Sequence, residues 1–542
     1  MANMDVNEFR EFGKAAIDFI ADYFETIRER DVLPSVEPGY LHDLLPSDMP
    51  ERGEDWKASM EKFQKFILPG ITHWQSPNFH AFYPSRTSYT SMVGETLAAG
   101  LSVIGISWTS SPACTELEVI VMNWVGQLLN LPKCFLSSDD GPGGGIIQGS
   151  ASESIFIAVI VAREQAVRRL VPLHPELTEA EIRGRLVCYT SDQSNSCVEK
   201  SGIMGAIKMR LLASDENGVL RGKTLKEAVE QDKSEGLFPV ILVATLGTTG
   251  TCAFDNLEEI GPICSENDIW LHVDAAYAGS AFALEEYAWT MKGLEAADSL
   301  NFNLHKWFFI NFDSCGMWFK DSDKLTEVLC VDRIYLQHKY QGQSKAPDFR
   351  HWQIPLGRRF RALKIWLTLN MMGAEKIRSI LRFHISLANK FEDLVRADER
   401  FEVMSSMLGL VCFRFKGEDA LSKQLLTNIT KRKKIYMIPA TYRGKYVIRF
   451  TIAGMDPQAE DVDFAWAEIR SQANLLVPRL SNDHSVKDQS VKDLSVKDLS
   501  INGHSVHGQA INGHSMNGNV TNSHSINGHS ENGDSINGHI SS

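Results

Sequence analysis

Lys306, in the run Asn303-Leu304-His305-Lys306-Trp307, and Asp274, thirty-two residues earlier, could do chemistry as a pair. Asp274 closes the apolar run Ile269-Trp270-Leu271-His272-Val273. A lysine amine held out of water is a nucleophile toward carbonyl compounds. A carboxylate beside a pyridine nitrogen keeps that nitrogen protonated through Coulomb attraction in low dielectric. An amine for a Schiff base and a carboxylate for a ring nitrogen are the minimum apparatus for pyridoxal phosphate, a cofactor that acts as electron sink while the protein aims and tunes it. Ala276 points the same way as Asp274 in an extended chain and is small enough to underlie a flat ring. Most lysines are solvated and many strand-end aspartates only cap a turn, so the surroundings must carry the reading.

A phosphate needs its own seat. Gly143-Gly144-Gly145-Ile146-Ile147-Gln148-Gly149-Ser150-Ala151-Ser152 reads as a glycine-rich turn entering a helical run from Glu153 to Val167. Such a helix start offers free backbone N–H groups and a favourable dipole to an anion. The segment lacks the lysine of a nucleotide P-loop and the glycine spacing of a dinucleotide fingerprint. Alone it is an ordinary capped helix; with Lys306 and Asp274 it supplies the third cofactor contact.

The elements that must position these groups follow from hydrophobic patterning. Pro239 to Ala244 reads as a buried strand, Asn256 to Asn267 as a helix and Ile269 to Val273 as the next strand. Strand, helix and strand, with unbroken apolar strands, predict a parallel sheet covered on both faces. Ligands of such sheets sit beyond the carboxyl ends of the strands, where Thr248, Thr249 and Asp274 fall. A second mixed segment covers about 360 to 478 and includes the strand-like Tyr446-Val447-Ile448-Arg449-Phe450. At the other end, Phe9, Ala16, Ile20, Phe24 and Ile27 form a helical apolar stripe, suited to a partner subunit or to the chain's own body.

The chain has 542 residues, 43% of them hydrophobic, enough for a large core and a smaller domain. Its net charge of −13 argues against bulk nucleic-acid affinity. No apolar stretch is long enough to span a bilayer, and the first residues do not read as a secretory signal. Nine scattered cysteines without short paired spacing fit a reduced, cytoplasmic chain better than a disulfide framework or a metal site. From Ser485 a five-residue unit repeats, first Ser-Val-Lys-Asp-Gln/Leu and then variants of Ser-Ile-Asn-Gly-His. Residues 481–542 contain no aromatic residue except histidine, so a disordered tail is expected there. Asn519-Val520-Thr521 is a glycosylation sequon that a cytoplasmic chain would not use.

Gly149-Ser150-Ala151-Ser152-Glu153, His272-Val273-Asp274-Ala275-Ala276-Tyr277 and the Lys306 segment resemble the group II pyridoxal phosphate decarboxylases, in the aromatic L-amino acid decarboxylase branch. His73-Trp74, Ser110 to Glu116 and Arg350 to Arg359 extend the resemblance, which spans residues 1 to about 475. It implies an α/β fold of type I: a large domain with a mostly parallel seven-stranded sheet, a small C-terminal α/β domain and an N-terminal helical arm. The expected boundaries are 1–85 for the arm, 86–360, 361–478 and a tail at 479–542. It also implies a homodimer with shared active sites. Lys306 would hold the cofactor covalently and Asp274 would face its ring nitrogen. Ala151, Ser152 and Asn303 would bind the phosphate, Thr249 would lie near the phenolic oxygen, and His305 would sit beside the lysine. Tyr335, on the polar run Asp332 to Phe349, would be a proton donor on a mobile loop. Ile104 and Ile106 would enter the neighbouring subunit's pocket. Trp74, Phe82, Tyr83, Pro84 and Ser85 resemble the wall that holds the substrate ring and carboxylate, and Gly357 leaves room for a bulky aryl group such as that of dopa.

Two positions depart from the ordinary decarboxylases. Where those carry a histidine stacked over the cofactor ring, Ser191-Asp192-Gln193-Ser194-Asn195-Ser196-Cys197 places Asn195. The usual Tyr-Phe order before a proline is reversed as Phe82-Tyr83-Pro84. Both features resemble the insect aldehyde-forming branch, the 3,4-dihydroxyphenylacetaldehyde synthases. After carbon dioxide leaves, the substrate carbanion either takes a proton and becomes an amine or passes electrons to oxygen and becomes an aldehyde. An imidazole can relay a proton near neutral pH and a carboxamide cannot. The expected activity is therefore oxidative deamination coupled to decarboxylation, with conventional amine formation as the alternative. Tyr335, which aldehyde-forming plant relatives usually lose, is retained here.

Overall fold

The computed structural model describes residues 4–138, 141–331, 333–340 and 347–476. Met1–Asp483 forms one compact unit; the second, His484–Ser542, and the repeat tail expected from 479 lie outside the described residues.

Seven strands build the main sheet: β1 (Gly144–Gln148), β2 (Leu186–Ser191), β3 (Lys208–Leu212), β4 (Phe238–Thr245), β5 (Trp270–Asp274), β6 (Ser299–Asn303) and β7 (Cys315–Phe319). Their order is β1-β7-β6-β5-β4-β2-β3. The pairs from β6 through β3 are parallel, while β7 runs antiparallel to both β6 and β1. Strands β1, β2, β5, β6 and β7 are buried along their whole length, as helix-covered sheets require. The helix Leu257–Glu266 joins β4 to β5 and is capped by Asn256, whose side chain accepts from the Glu259 amide. This is the predicted strand–helix–strand unit, with each boundary moved by one residue.

The glycine-rich segment is corrected by the fold. Gly144–Gln148 is an edge strand, and only Gly149-Ser150 turns into the helix Ala151–Leu173. The glycines there serve packing: a Cβ on Gly145 would come 2.6 Å from the Trp318 indole, and one on Gly144 2.9 Å from Trp352.

A second sheet holds β8 (Phe401–Met407), β9 (Leu410–Phe415), β10 (Ile438–Tyr442) and β11 (Lys445–Thr451), in the antiparallel order β10-β11-β9-β8. It packs on the helices Arg361–Arg396, Asp419–Arg432 and Ala459–Asn474 around Phe391, Phe413, Phe450 and Trp466. Gly373, at φ +68°, breaks the first of these into two helical pieces. The N-terminal helix Val6–Glu25 carries a full capping box at Asp5 and Glu8, yet none of its residues is buried. No helix among the described residues is long and apolar enough to cross a membrane. All nine cysteines are free.

Candidate active site

Trp74, Phe82, Tyr83, Pro84, Ser85, Asn195, Thr249, His305 and Lys306 line one cavity of about 500 Å³, together with Phe312, Ile438 and Arg449. Its size suits a small aromatic ligand with a cofactor. Lys306 follows β6 on the short helix Leu304–Trp307. Burial lowers its ammonium pKa, with Arg449 acting in the same direction and Asp274 opposing. A buried lysine that readily sheds its proton is the form that attacks a carbonyl.

Asp274 ends β5, and its Oδ1 accepts from the Ala276 amide at 3.0 Å and from Asn301 Nδ2 at 2.9 Å. Ala276 packs with Ala151 and Cys315 in a small buried cluster, which brings the helix start at Ala151 beside the end of β5. Asn303 ties in through its amide, donating to the Ala276 carbonyl at 3.1 Å. Ser150 caps the helix by accepting from the Glu153 amide, so Ala151 and Ser152 hold first-turn N–H groups with no acceptor inside the helix. Asn303 Oδ1 is buried without a partner among the described residues. Amine, carboxylate, alanine floor and free amides thus converge as a pyridoxal phosphate seat requires.

Asn195 is pinned at both ends of its amide. Its Oδ1 accepts from the Cys197 amide at 3.0 Å, capping the helix Ser196–Met204, and its Nδ2 donates to Thr249 Oγ1 at 3.0 Å. The Thr249 hydroxyl, being an acceptor there, keeps its own proton to donate. Cys197 lies against Ser152, and burial pushes its thiol up to about 11. His305 is the one histidine among the described residues that line the cavity. Its Nδ1 accepts from the Ser314 amide at 3.0 Å, and burial, with Lys306 beside it, lowers its pKa to about 4.

The reversed aromatic pair has a structural basis. Tyr83 is buried, stacked on Tyr277 at 3.7 Å, and donates its hydroxyl to the Thr248 carbonyl at 2.8 Å. Burial raises its pKa well above the ordinary phenol value. Phe82, at φ +57°, stacks on Trp74 at 5.4 Å and presents an apolar ring to the cavity.

Ala151, Ser152, Asp274, Ala276 and Asn303 belong to the seat around Lys306 rather than to the cavity lining, and four further expected site residues belong to neither seat nor cavity. Tyr335 is 75% exposed on the short turn Ile334–Leu336 and does not line it; its loop lies partly outside the described residues, at 332 and 341–346. Ile104, 62% exposed, Ile106 and Gly357 meet each other elsewhere: Gly105 N donates to the Arg358 carbonyl, and a Cβ on Gly357 would touch Ile104 at 3.4 Å.

Sequence reasoning missed Arg449. Its Nε donates to the Gly250 carbonyl at 3.1 Å and its guanidinium lies 5.1 Å from the Tyr83 ring centre. Nη1 and Nη2 are buried without partners among the described residues. The signal was an arginine inside the apolar strand 446–450, since a buried cation needs an anion.

Three buried imidazoles set a pH limit on the fold. Burial pushes His80, His272 and His305 each down to about 4, from 6.5. Between those values these three imidazoles bind more protons in the unfolded chain than in the folded one and outnumber the opposing Asp255 carboxyl, which burial raises to about 6, so stability rises with pH. Unfolding free energy by urea titration is expected to fall as pH drops from 6.5 toward 4; a stability unchanged across that window contradicts the assignment.

Residues 38–416 match the pyridoxal-dependent decarboxylase conserved domain. The chain belongs to that family. Pyridoxal phosphate is its cofactor, and the seat around Lys306 fits it. Among curated relatives, 3,4-dihydroxyphenylacetaldehyde synthase of Aedes aegypti is 74% identical over 90% of this chain and 93% of its own. The Drosophila melanogaster protein of the same name is 59% identical over 86% and 92%. The crystal structure of Oryza sativa TDC with PLP and tryptamine superposes with a TM-score of 0.85 at 32% identity, covering 88% of this chain and 99% of that one. The expected fold is thereby borne out.

Proposed function

We propose that this enzyme converts an aromatic L-amino acid, with L-dopa as the expected substrate, into the aryl acetaldehyde. The amino acid, O₂ and water give aldehyde, CO₂, NH₃ and H₂O₂. The observation that carries this reading is Asn195, a carboxamide held by Cys197 and Thr249 where ordinary decarboxylases place an imidazole. High identity to two proteins named for aldehyde formation supports it.

In this reading Lys306 would hold the cofactor, Asp274 and Ala276 would take its ring, and Ala151, Ser152 and Asn303 would hold the phosphate. When bound, pyridoxal phosphate supplies the electron sink that lets the carboxylate leave as CO₂. The Thr249 hydroxyl, which accepts from Asn195, keeps its proton and would be free to donate to the cofactor's phenolic oxygen. Trp74, Phe82 and Pro84 form an apolar wall for the substrate ring, and Arg449 offers two free N–H edges to the substrate carboxylate. His305, with its pKa near 4, is a neutral ring at physiological pH and a weak proton source for the substrate's α-carbon. Oxygen then competes with slow protonation.

A homodimer accounts for the residues left outside the cavity. The helix Tyr89–Leu101 exposes Tyr89, Val93, Leu97 and Leu101 at four-residue spacing, and the N-terminal helix, though Phe12 and Phe19 pack on Trp56 and Phe63, has no fully buried residue within its own chain. Ile104, Ile106 and Gly357 would then complete the partner's pocket and Tyr335 would reach a site by loop closure. The divisions at 85, 360 and 478 and a cytoplasmic location belong to the same proposal.

A conventional decarboxylase releasing dopamine is the second reading, favoured by the retained Tyr335. Incubation with L-dopa, following amine, hydrogen peroxide and oxygen uptake together, separates the two. Peroxide matching aldehyde is the expected result; abundant amine without oxygen uptake overturns it.

A further inference from the structure

Strands β5 and β6 run parallel with His272 opposite Ser299 and Asp274 opposite Asn301. Alternation puts Trp270, His272 and Asp274 on one face of β5, and Ser299, Asn301 and Asn303 on the matching face of β6. The polar side chains zigzag between the strands. Trp270 Nε1 lies 2.8 Å from Ser299 Oγ, which lies 2.8 Å from His272 Nδ1. His272 Nε2 is 2.8 Å from Asn301 Oδ1, and Asn301 Nδ2 is 2.9 Å from Asp274 Oδ1. All five residues are buried.

The chemistry of the groups fixes every proton. An indole N–H can only donate, so Ser299 Oγ accepts from it and turns its own proton to His272 Nδ1. Nδ1 is then an acceptor, and Nε2 carries the ring proton toward the Asn301 carbonyl. The Asn301 amide nitrogen is left to donate to the carboxylate. This requires a neutral imidazole, in keeping with a pKa pushed down to about 4 by burial. Four dipoles therefore point one way, each strengthening the next, and they end on Asp274.

We propose that His272 is a positioning residue for the cofactor: through Asn301 it holds Asp274 Oδ1 and leaves Oδ2 for the ring nitrogen. The imidazole is what keeps the Asn301 amide from turning over, because the flipped amide would set its NH2 against the Nε2–H of His272, donor against donor, and its carbonyl against the Asp274 carboxylate, acceptor against acceptor. Ser299 and Trp270 fix the tautomer in turn. His272 has no proton to give to the reaction; its role is carried entirely by orientation. This rests on the reading of Asp274 as the ring-nitrogen partner.

The test measures pyridoxal phosphate release from the holoenzyme and the pH titration of the bound cofactor's visible absorption, with circular dichroism to confirm folding. Asp274→Asn is the reference and is expected to alter both. His272→Leu is expected to weaken cofactor binding about tenfold and to shift the titration. His272→Gln, whose amide can still accept from Ser299 and donate to Asn301, is expected to stay within about threefold of wild type. Should His272→Leu not fold, Ser299→Ala, which frees the tautomer, is expected to shift the titration in the same direction. An Asp274→Asn enzyme with unaltered cofactor sinks the Asp274 reading itself. An altered Asp274→Asn beside an unaltered His272→Leu or Ser299→Ala, or a His272→Gln as impaired as His272→Leu, sinks the relay alone.

Discussion

Asn195→His is expected to turn the product mixture toward amine, raising the amine-to-peroxide ratio with L-dopa by about a hundredfold. A positioned general acid contributes on the order of 10² to 10⁴ to a proton transfer, and the lower end suits a ring not otherwise optimised for this cavity. Because two fates of one carbanion divide by relative rate, about 1.4 kcal/mol of barrier already moves the ratio tenfold. The substitution also removes the Asn195 cap on helix Ser196–Met204, at a stability cost of about 1 kcal/mol. Asn195→Ser separates the two effects. It keeps an oxygen for the Cys197 amide and adds no imidazole, so its product ratio should remain that of the wild type. Product analysis under air, with amine and peroxide quantified in the same samples, reads both variants. An unchanged ratio in Asn195→His removes Asn195 as the determinant. The neutral His305 makes the comparison clean, since burial holds its pKa near 4 and no imidazolium from this wall supplies the proton.

Much of this site was legible because its chemistry sits on contiguous motifs. Asp274 closes β5, Lys306 and Ala276 follow strand ends, and strands β4 and β5 announce themselves by unbroken apolar runs. The glycine-rich segment misled for a physical reason. Glycine signals a turn by its backbone freedom, but here Gly144 and Gly145 lie in a strand whose missing side chains admit Trp352 and Trp318. Those indoles are far away in sequence, so local pattern could not foresee them. The same limit hid the hydrogen-bond chain below Asp274. The alternation Trp270-Leu271-His272-Val273-Asp274 is visible, but its meaning depends on Ser299 and Asn301 standing opposite in register. The reversed Phe82-Tyr83 order was legible as a difference, whereas its cause, the Thr248 carbonyl waiting for the Tyr83 hydroxyl, is a tertiary contact.

Arg449→Met is expected to raise the KM for the amino acid by about 30-fold while barely moving the affinity of the corresponding amine. Hydrogen bonds to a charged group are worth about 1.5 to 3 kcal/mol, and about 2 kcal/mol corresponds to that factor. The amine lacks the carboxylate, so it never uses the two free guanidinium edges and loses nothing specific when they go. Arg449 also braces the cavity floor, through the Gly250 carbonyl and the face of Tyr83, so a purely structural role is the competing account. That account predicts equal losses for amino acid and amine, because a slumped Tyr83 would disturb the wall for both. Arg449→Lys sharpens the distinction. Lysine keeps the charge but not the planar fork, so it should recover part of the amino acid binding without restoring it fully. Parallel inhibition and steady-state measurements on the wild type and both variants decide between them. Equal loss for the two ligands, or no loss for either, removes Arg449 from carboxylate recognition and leaves the buried guanidinium needing another anion.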